Sequence, residues 1–332
     1  MNIIQFEDQQ QQRHVGVVKQ NEIHCVNQVK TIRELALLAI RNQTTLEEQV
    51  ERLGLSQSDE NYENLLKNKQ VLAPLDHPDS AHCLVSGTGL THLGSASTRD
   101  KMHQENLNNA ASVTDTMRIF QWGLEGGKPE QGTTGVQPEW FYKGDGSIVV
   151  RPGEDFSLPN FAEDGGEEPE IVGLYVIGDD RKPYRIGFAL GNEYSDHVME
   201  RRNYLYLAHS KLRSCSFGPE LRTGELPTHL LGMSRIRRGD RVIWEKEFLS
   251  GEDNMCHSIA NLEYHHFKYA QFLQPGDVHI HYFGTATLSF AEQIQAQVGD
   301  QFEIEMPEFG HPLKNSFSKA EPELAIGSVI TL

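Results

Sequence analysis

Two carboxylates set two residues apart point to metal chemistry. In Asp164-Gly165-Gly166-Glu167-Glu168-Pro169-Glu170-Ile171-Val172-Gly173-Leu174, Glu168 and Glu170 stand where an apolar run begins. In an extended chain residues i and i+2 point to the same side, so both carboxylates can converge on one cation. Like charges held that close need a counter-charge. Oxygen-only ligation suits Mg²⁺, Mn²⁺ or Ca²⁺, whereas Zn²⁺ would want His or Cys. On spacing alone, a solvated acidic loop is the simpler alternative.

The elements that must position these groups are short strands. From Leu84 onward, apolar runs are punctuated by Gly, Pro and Asp: Ser147 to Val150, Ile171 to Ile177, Tyr184 to Leu190, Arg241 to Trp244, Val278 to Phe283 and Phe302 to Met306. That rhythm predicts a β-rich domain, interrupted by helices near residues 99–122 and 254–273. Before it, Val15–Val18 and Ile23–Val26 read as an opening hairpin. Thr31-Ile32-Arg33-Glu34 and Thr45-Leu46-Glu47-Glu48 read as two helix starts, the second helix ending at Gly54. The turn-rich stretch from Val71 to Asp79 is read as the crossing between a unit of residues 1–75 and a larger one of residues 76–332.

Bulk properties limit the function. The 332 residues carry 30 Lys plus Arg against 47 Asp plus Glu, a formal charge of −17, which excludes nucleic acid and an anionic membrane face as expected partners. An acidic protein that serves an anionic substrate must gather positive charge locally, as placed Lys or Arg or as a divalent cation. No apolar run is long enough to span a bilayer, and the first residues lack a basic start followed by an apolar stretch, so secretion is not expected. Cys25, Cys83, Cys215 and Cys256 are scattered, which reads as reduced thiols in a cytoplasmic protein. Cys215 as a nucleophile is weaker than Cys215 as a buried structural thiol.

Taken with Arg185-Ile186-Gly187-Phe188-Ala189-Leu190-Gly191-Asn192-Glu193-Tyr194-Ser195, the acidic segment resembles the fumarylacetoacetate hydrolase family. That family has a Glu-x-Glu strand, then a strand ending in Gly-Tyr-Thr-x-x-Asn-Asp-x-Ser whose last Asp completes a metal site. Glu193 stands at that Asp, with Asp196 as the fallback. The resemblance implies a Mg²⁺ (or Mn²⁺ or Ca²⁺) site of Glu168, Glu170 and Glu193. Pro138-Glu139-Trp140-Phe141-Tyr142-Lys143 resembles the family's Pro-x-x-Phe-x-Lys and implies Lys143 beside a substrate carboxylate. Gln274 to Ala286 resembles Pro-Gly-Asp-Val-x-x-x-Gly-Thr-Pro, which implies that Thr285 hydrogen-bonds that carboxylate. Val298 to Glu305, with Gly310, Leu313 and Asn315, resembles the closing strands. The implied fold is α+β and mainly β, a mixed roll or sandwich with a smaller N-terminal α/β unit, and the implied assembly is a homodimer or homotetramer.

Departures narrow the branch. Family members that cleave acylpyruvates carry Gly-x-Asn-Tyr-x-x-His, whose His activates water. Here Ser86-Gly87-Thr88-Gly89-Leu90-Thr91-His92 is more similar to the sugar-acid branch, with His92 in place of its Tyr. Tyr204-Leu205-Tyr206-Leu207-Ala208-His209-Ser210-Lys211, followed by Gly218-Pro219, resembles the 2-keto-3-deoxy-pentonate (arabinonate or xylonate) dehydratases and makes Lys211 the second cationic candidate. Lys211, Glu139 and His92 are the candidates for proton transfer, and Arg99 either contacts substrate hydroxyls or braces its loop. His279 and His281 on one strand face and His265-His266 on a helix raise a His-based metal site, but structural histidines are the simpler reading.

The function implied is a divalent-metal-dependent lyase removing water from a 2-keto-3-deoxy sugar acid, a small anionic 2-oxo acid, in sugar catabolism. The alternative is a C–C bond hydrolase or acylpyruvase acting on a 2,4-dioxo acid. A metal-free sugar-acid-binding protein on the same fold is the reading from outside enzymology.

Overall fold

The computed structural model describes residues 1–95, 97–98, 114–320 and 329–332. In chain order the described strands are β1 (Asn2–Glu7), β2 (Arg13–Lys19), β3 (Glu22–Val26), β4 (Leu55–Asn61), β5 (Val71–Leu72), β6 (Cys83–Gly89), β7 (Glu139–Asp145), β8 (Phe156–Leu158) and β9 (Pro169–Ile177). They continue as β10 (Pro183–Asn192), β11 (Ser216–Phe217), β12 (Leu221–Arg222), β13 (Leu230–Arg238), β14 (Arg241–Ser250), β15 (Val278–Tyr282), β16 (Gln301–Glu305) and β17 (Leu313–Lys319). The described α-helices are α1 (Ile32–Asn42), α2 (Leu46–Leu53), α3 (Tyr62–Lys67), α4 (Asp115–Gly126), α5 (His197–Arg202), α6 (Leu207–Lys211) and α7 (Ile259–Phe267). The class is α+β and mainly β.

Local signals explain where the helices begin. Thr31 and Thr45 cap α1 and α2 with reciprocal boxes to Glu34 and Glu48, and Gly54 ends α2 at φ +75°. The helix expected near residues 254–273 is shorter than its apolar pattern: α7 covers Ile259–Phe267, flanked by single 3₁₀ turns. Of the helix expected near residues 99–122, α4 is described from Asp115; Arg99 lies outside the described residues.

One large sheet runs β4-β3-β2-β1-β12-β10-β9-β15-β6-β7, with β5 on β1 and β11 on β10; β15 and β6 are its parallel pair. The opening hairpin is thus the start of a meander that continues the main sheet, because β1 pairs with β12 in the register Asn2↔Arg222. A second sheet runs β14-β13-β16-β17-β8.

The central strand β9 is buried at all nine positions, as its unbroken apolar run requires. Val172, Leu174 and Val176 face a core closed by α1 and α2, through Ile32, Leu35 and Val50. On the opposite face Ile171 joins Phe188 and Leu190 of β10 in a core with Leu230, Phe248, Ile304 and Leu313 of the second sheet. Each such side chain contributes about 1.5–3 kcal/mol by leaving water, so β9 is fixed from both sides. Its polar N-terminal end is therefore held rigidly.

Candidate metal centre and substrate cleft

β9 and β10 are antiparallel, so the beginning of β9 lies beside the end of β10. The register pairs Glu170 with Gly191 and Pro169 with Asn192. Backbone bonds continue past the ladder: Glu193 N–H donates to Glu168 O at 3.1 Å, and Glu168 N–H donates to Asn192 Oδ1 at 3.3 Å. Glu168 and Glu170 share a strand side, and Glu193 arrives from the neighbouring strand end. One carboxylate oxygen from each lies within 4.8 Å of the others, and all three residues are buried. Among the described residues this is the one group of His, Cys, Asp or Glu whose ligand atoms come together in this way.

Glu167, one residue away, points elsewhere and accepts from the backbone N–H and hydroxyl of Ser289. Period-two alternation thus separates it from its neighbours. Gly191 leaves room for the triad's strand: a Cβ there would come within 2.7 Å of Tyr282 and 2.8 Å of Val172.

Burial and mutual repulsion set the electrostatics. Burial pushes the Glu170 carboxyl well above the usual range, and the neighbouring Glu193 and Glu168 add to it. Burial also raises Glu193, against the opposing pull of Lys211 and Lys143. Burial would raise Glu168 too, but Lys211 and His197 outweigh it and hold that carboxyl below its usual range. Lys211 Nζ contacts Glu168 Oε1 and donates to Glu193 Oε2 at 3.0 Å. It also lies 5.2 Å from the centre of the Phe141 ring. Burial disfavours its charge, yet Glu168 and Glu193 more than compensate and keep it an ammonium.

The remaining sequence candidates separate. Thr285 lines the same cleft as Glu168, Glu193 and Lys211. Its Oγ1 accepts from Thr287 N–H at 3.2 Å, which leaves the hydroxyl proton free to donate. Lys143, expected beside a substrate carboxylate, is not among the described residues that line the cleft. It is fully buried behind Glu193, donates to Tyr194 O and Lys211 O at 2.8 and 3.0 Å, and stands 3.4 Å from Glu193 Oε1. Glu139, at the start of β7, accepts from Tyr204 Oη at 2.8 Å and is not part of the cleft lining.

His92 is also away from the lining. Thr91 Oγ1 donates to Phe283 O, so it must accept from His92 Nδ1 at 3.0 Å, and Nε2 then accepts from Ser250 Oγ at 3.0 Å. Burial lowers its pKa to about 4, so the ring is a neutral brace with both nitrogens spent. Asp196, the fallback ligand, caps α5 through Met199 N–H and pairs with Arg213. Of the histidines weighed as a metal site, His266 Nε2 bonds to His279 Nδ1 at 2.9 Å, whereas His281 bonds to Ser86 Oγ and His265 to Gly135 O.

Sequence reasoning missed two residues of α5. His197 Nε2 donates to Glu168 Oε1 at 3.2 Å, and its Nδ1 lies 3.6 Å from Asp164 Oδ2. Burial opposes its charge, but Asp164 and Glu168 outweigh it and raise the pKa to about 10. Glu200, three residues on and so on the same helix side, lines the cleft. Asp196 caps this helix, and which way so short a helix would face was not readable from spacing.

No family model matches the chain. Over 114 residues it is 34% identical to a probable 2-keto-3-deoxyxylonate dehydratase of Haloferax volcanii; the match covers 33% of this chain and spans 38% of that relative's length. Among solved structures, a 2-keto-3-deoxy-D-arabinonate dehydratase complexed with magnesium and 2,5-dioxopentanoate superposes with a TM-score of 0.70 at 18% identity, covering 97% of this chain and all of that one. A fumarylacetoacetate hydrolase from Exiguobacterium antarcticum does so with a TM-score of 0.62 at 14% identity, covering 96% of this chain and all of that one. The likeness to both structures is one of fold. No described helix is long and apolar enough to cross a membrane.

Proposed function

We propose that this protein is a divalent-metal-dependent hydro-lyase that removes water from a 2-keto-3-deoxy sugar acid, a pentonate such as 2-keto-3-deoxy-arabinonate. The observation that carries the reading is the convergence of buried Glu168, Glu170 and Glu193 oxygens on one point beside Lys211. The donor set fits a hard cation: three carboxylates, no sulfur or imidazole among them, and a Glu193 Oε1 that is buried yet accepts no hydrogen bond. Mg²⁺, or Mn²⁺ or Ca²⁺, is the ion we assign to it. The names borne by the relatives support the same substrate class.

A bound divalent ion supplies Lewis acidity at the 2-oxo group, which acidifies the C3 proton. The chain's own residues do the rest. Thr285 donates its free hydroxyl proton to the substrate carboxylate, and Lys211 presents a fixed positive charge to the same anion. Being held as an ammonium, Lys211 suits proton donation to the departing C4 hydroxyl better than abstraction at C3. Loss of the C3 proton and the C4 hydroxyl gives a C3–C4 alkene and water; a proton shift from C5 to C3 then gives a C4–C5 enol, whose hydroxyl proton moves to C4 to leave a 2,5-dioxo acid. Lys143 serves behind Glu193 as its counter-charge.

Every described residue lining the cleft comes from Thr88 onward, which supports residues 76–332 as the catalytic unit and residues 1–75 as a wing on its sheet. We read the two sheets as the roll of the fumarylacetoacetate hydrolase fold. The assembly proposed is a homodimer or homotetramer in the cytoplasm; the four unbridged cysteines support the compartment.

The alternative of an acylpyruvase needs a base to activate water, and the neutral, doubly bonded His92 is unsuited to that task. The test is a steady-state assay of the Mg²⁺-loaded protein on 2-keto-3-deoxy-pentonates beside acylpyruvates, with Glu170→Ala as the blank. Semialdehyde formation that vanishes in the variant is expected. Pyruvate release from acylpyruvates alone would establish the hydrolase, and silence on both would favour a binding protein.

A further inference from the structure

Glu167 adjoins the metal triad and takes no part in it. It is fully buried, and burying a carboxyl group is costly unless its oxygens are bonded. Both are bonded, and to the same residue: Oε1 accepts from Ser289 N–H at 2.9 Å and Oε2 from Ser289 Oγ at 2.7 Å. A two-point grip fixes the angle between its partners as well as their distance. Ser289 opens a 3₁₀ turn, Ser289–Glu292, and so marks the far end of the loop that follows β15. The near end is held to the same strand segment, since Gly284 N–H donates to Glu170 Oε2 at 2.6 Å. Between these two anchors lie only Thr285, Ala286, Thr287 and Leu288, of which Thr285 and Leu288 line the cleft. Glu167 lies on the opposite side of the chain from Glu168 and Glu170, so the loop straddles the start of β9.

We infer that Glu167 is a positioning residue: through Ser289 it straps this loop to the strand that carries Glu168 and Glu170, and so holds the Thr285 hydroxyl at a set distance from the metal centre. A 2-oxo acid must meet the ion with its keto group and Thr285 with its carboxylate at once, so that distance is a constraint on binding. Directed contacts of this kind need placement within about 0.5 Å. Two further bonds support the interval, Thr287 Oγ1 to Glu247 O at 3.2 Å and Thr98 Oγ1 to Ala286 O at 2.8 Å, but neither ties it to β9. The inference rests on the proposed 2-oxo acid chemistry and deepens it, by assigning the group that places the carboxylate-binding hydroxyl.

Calorimetric titrations of the full chain with Mg²⁺ alone, and of the Mg²⁺-loaded chain with 2-oxopentanoate, test it. Thr285→Val should weaken 2-oxopentanoate about tenfold, the value of a hydrogen bond to a charged group. Glu167→Ala should do the same while leaving the Mg²⁺ affinity within about threefold of wild type. Glu167→Gln can accept from Ser289 N–H at its carbonyl and donate to Ser289 Oγ at its amide, so it should bind 2-oxopentanoate within about threefold of wild type. In the double variant Glu167→Ala, Thr285→Val the losses should not multiply, and binding should stay within about twofold of Thr285→Val alone. That coupling separates positioning from a general loss of structure. Ser289→Ala keeps the backbone N–H and loses the hydroxyl. It carries the test if Glu167→Ala does not fold, with a several-fold loss that disappears in the Thr285→Val background. Wild-type-like binding of 2-oxopentanoate by Glu167→Ala overturns the strap, as do losses that multiply in the double variant or a Mg²⁺ affinity that falls as far as that for 2-oxopentanoate. Failure of the wild type to bind 2-oxopentanoate would instead overturn the 2-oxo acid reading itself.

Discussion

The backbone N–H of Gly284 donates to Glu170 Oε2 at 2.6 Å, so the loop after β15 orients one carboxylate of the triad. Gly284 has φ +90°, and a Cβ there would lie 2.5 Å from Thr91 Oγ1 and 2.7 Å from Thr88 O. Both the conformation and the space demand glycine. Gly284→Ala should cost about 2–4 kcal/mol of stability, from strain plus overlap. It should also turn the donor away from Glu170 and weaken Mg²⁺ binding. Thermal melts with and without Mg²⁺ check this: the melting temperature should fall in both, and the Mg²⁺-induced rise should shrink. An undiminished Mg²⁺ response would show that Gly284 shapes the loop without orienting Glu170.

His197 is bonded to Glu168 on one side and faces Asp164 on the other, and so fixes which way a candidate ligand points. Outer partners of this kind are worth about 10–100-fold in metal affinity. His197→Ala should therefore weaken Mg²⁺ by about that factor, with His197→Gln, which retains an N–H donor, recovering part of the loss. Titration calorimetry with Mg²⁺ alone reads it directly, and equal affinities for wild type and both variants would remove His197 from the site.

For His92 the expectation runs the other way. Its ring ties Thr91 to Ser250 in the core and touches no residue of the triad in the hydrogen-bond and ion-pair network described above. His92→Gln should lose about 1–3 kcal/mol of stability, the cost of disturbing two buried hydrogen bonds. Its kcat/KM should stay within about threefold of wild type, because a change in barrier below ~0.7 kcal/mol is no more than that. A loss of a hundredfold or more would return His92 to catalysis.

The limits of sequence reading are visible in particular residues. The Glu168–Glu170 side and the helix starts at Thr31 and Thr45 were legible because period two and the capping box are local rules. Glu193, Lys211 and Thr285 were found by resemblance, since their meeting depends on residues 18 to 92 positions apart in the chain. Lys143 could not be placed. A long side chain at a strand end can point into a cleft or behind it, and here Tyr194 O and Lys211 O captured it. The β1–β12 pairing, which fuses the N-terminal strands to the main sheet, left no local trace at all. His197 and Glu200 were hidden for a related reason, because the facing of a helix of six residues is set by what it packs on.

Away from the site, three buried imidazoles make the fold acid-sensitive. His266 on α7 bonds His279 on β15 and stacks on His281 at 4.5 Å between ring centres, with Ser86 and Trp140 as their other polar neighbours. Phe267 and Phe272 pack against the same rings. Burial lowers His266 well below its ordinary value, His279 to about 4 and His281 to about 3. The unfolded chain therefore binds these protons near pH 6.5 and the folded one does not. The stability they represent is present above about pH 6.5 and is lost as the pH falls toward about 4. Glu303, which burial raises but Arg237 and Lys314 hold down at about 2, costs stability only below about pH 4.5, so the two windows separate. Urea unfolding at pH 7, 6 and 5 should show a slope of up to about 1.4 kcal/mol per pH unit per histidine. His281→Gln should make that slope shallower by about one proton. An equal slope in the variant would mean that His281 takes up its proton inside the folded core, and that α7 holds its place on the sheet without a neutral ring beneath it.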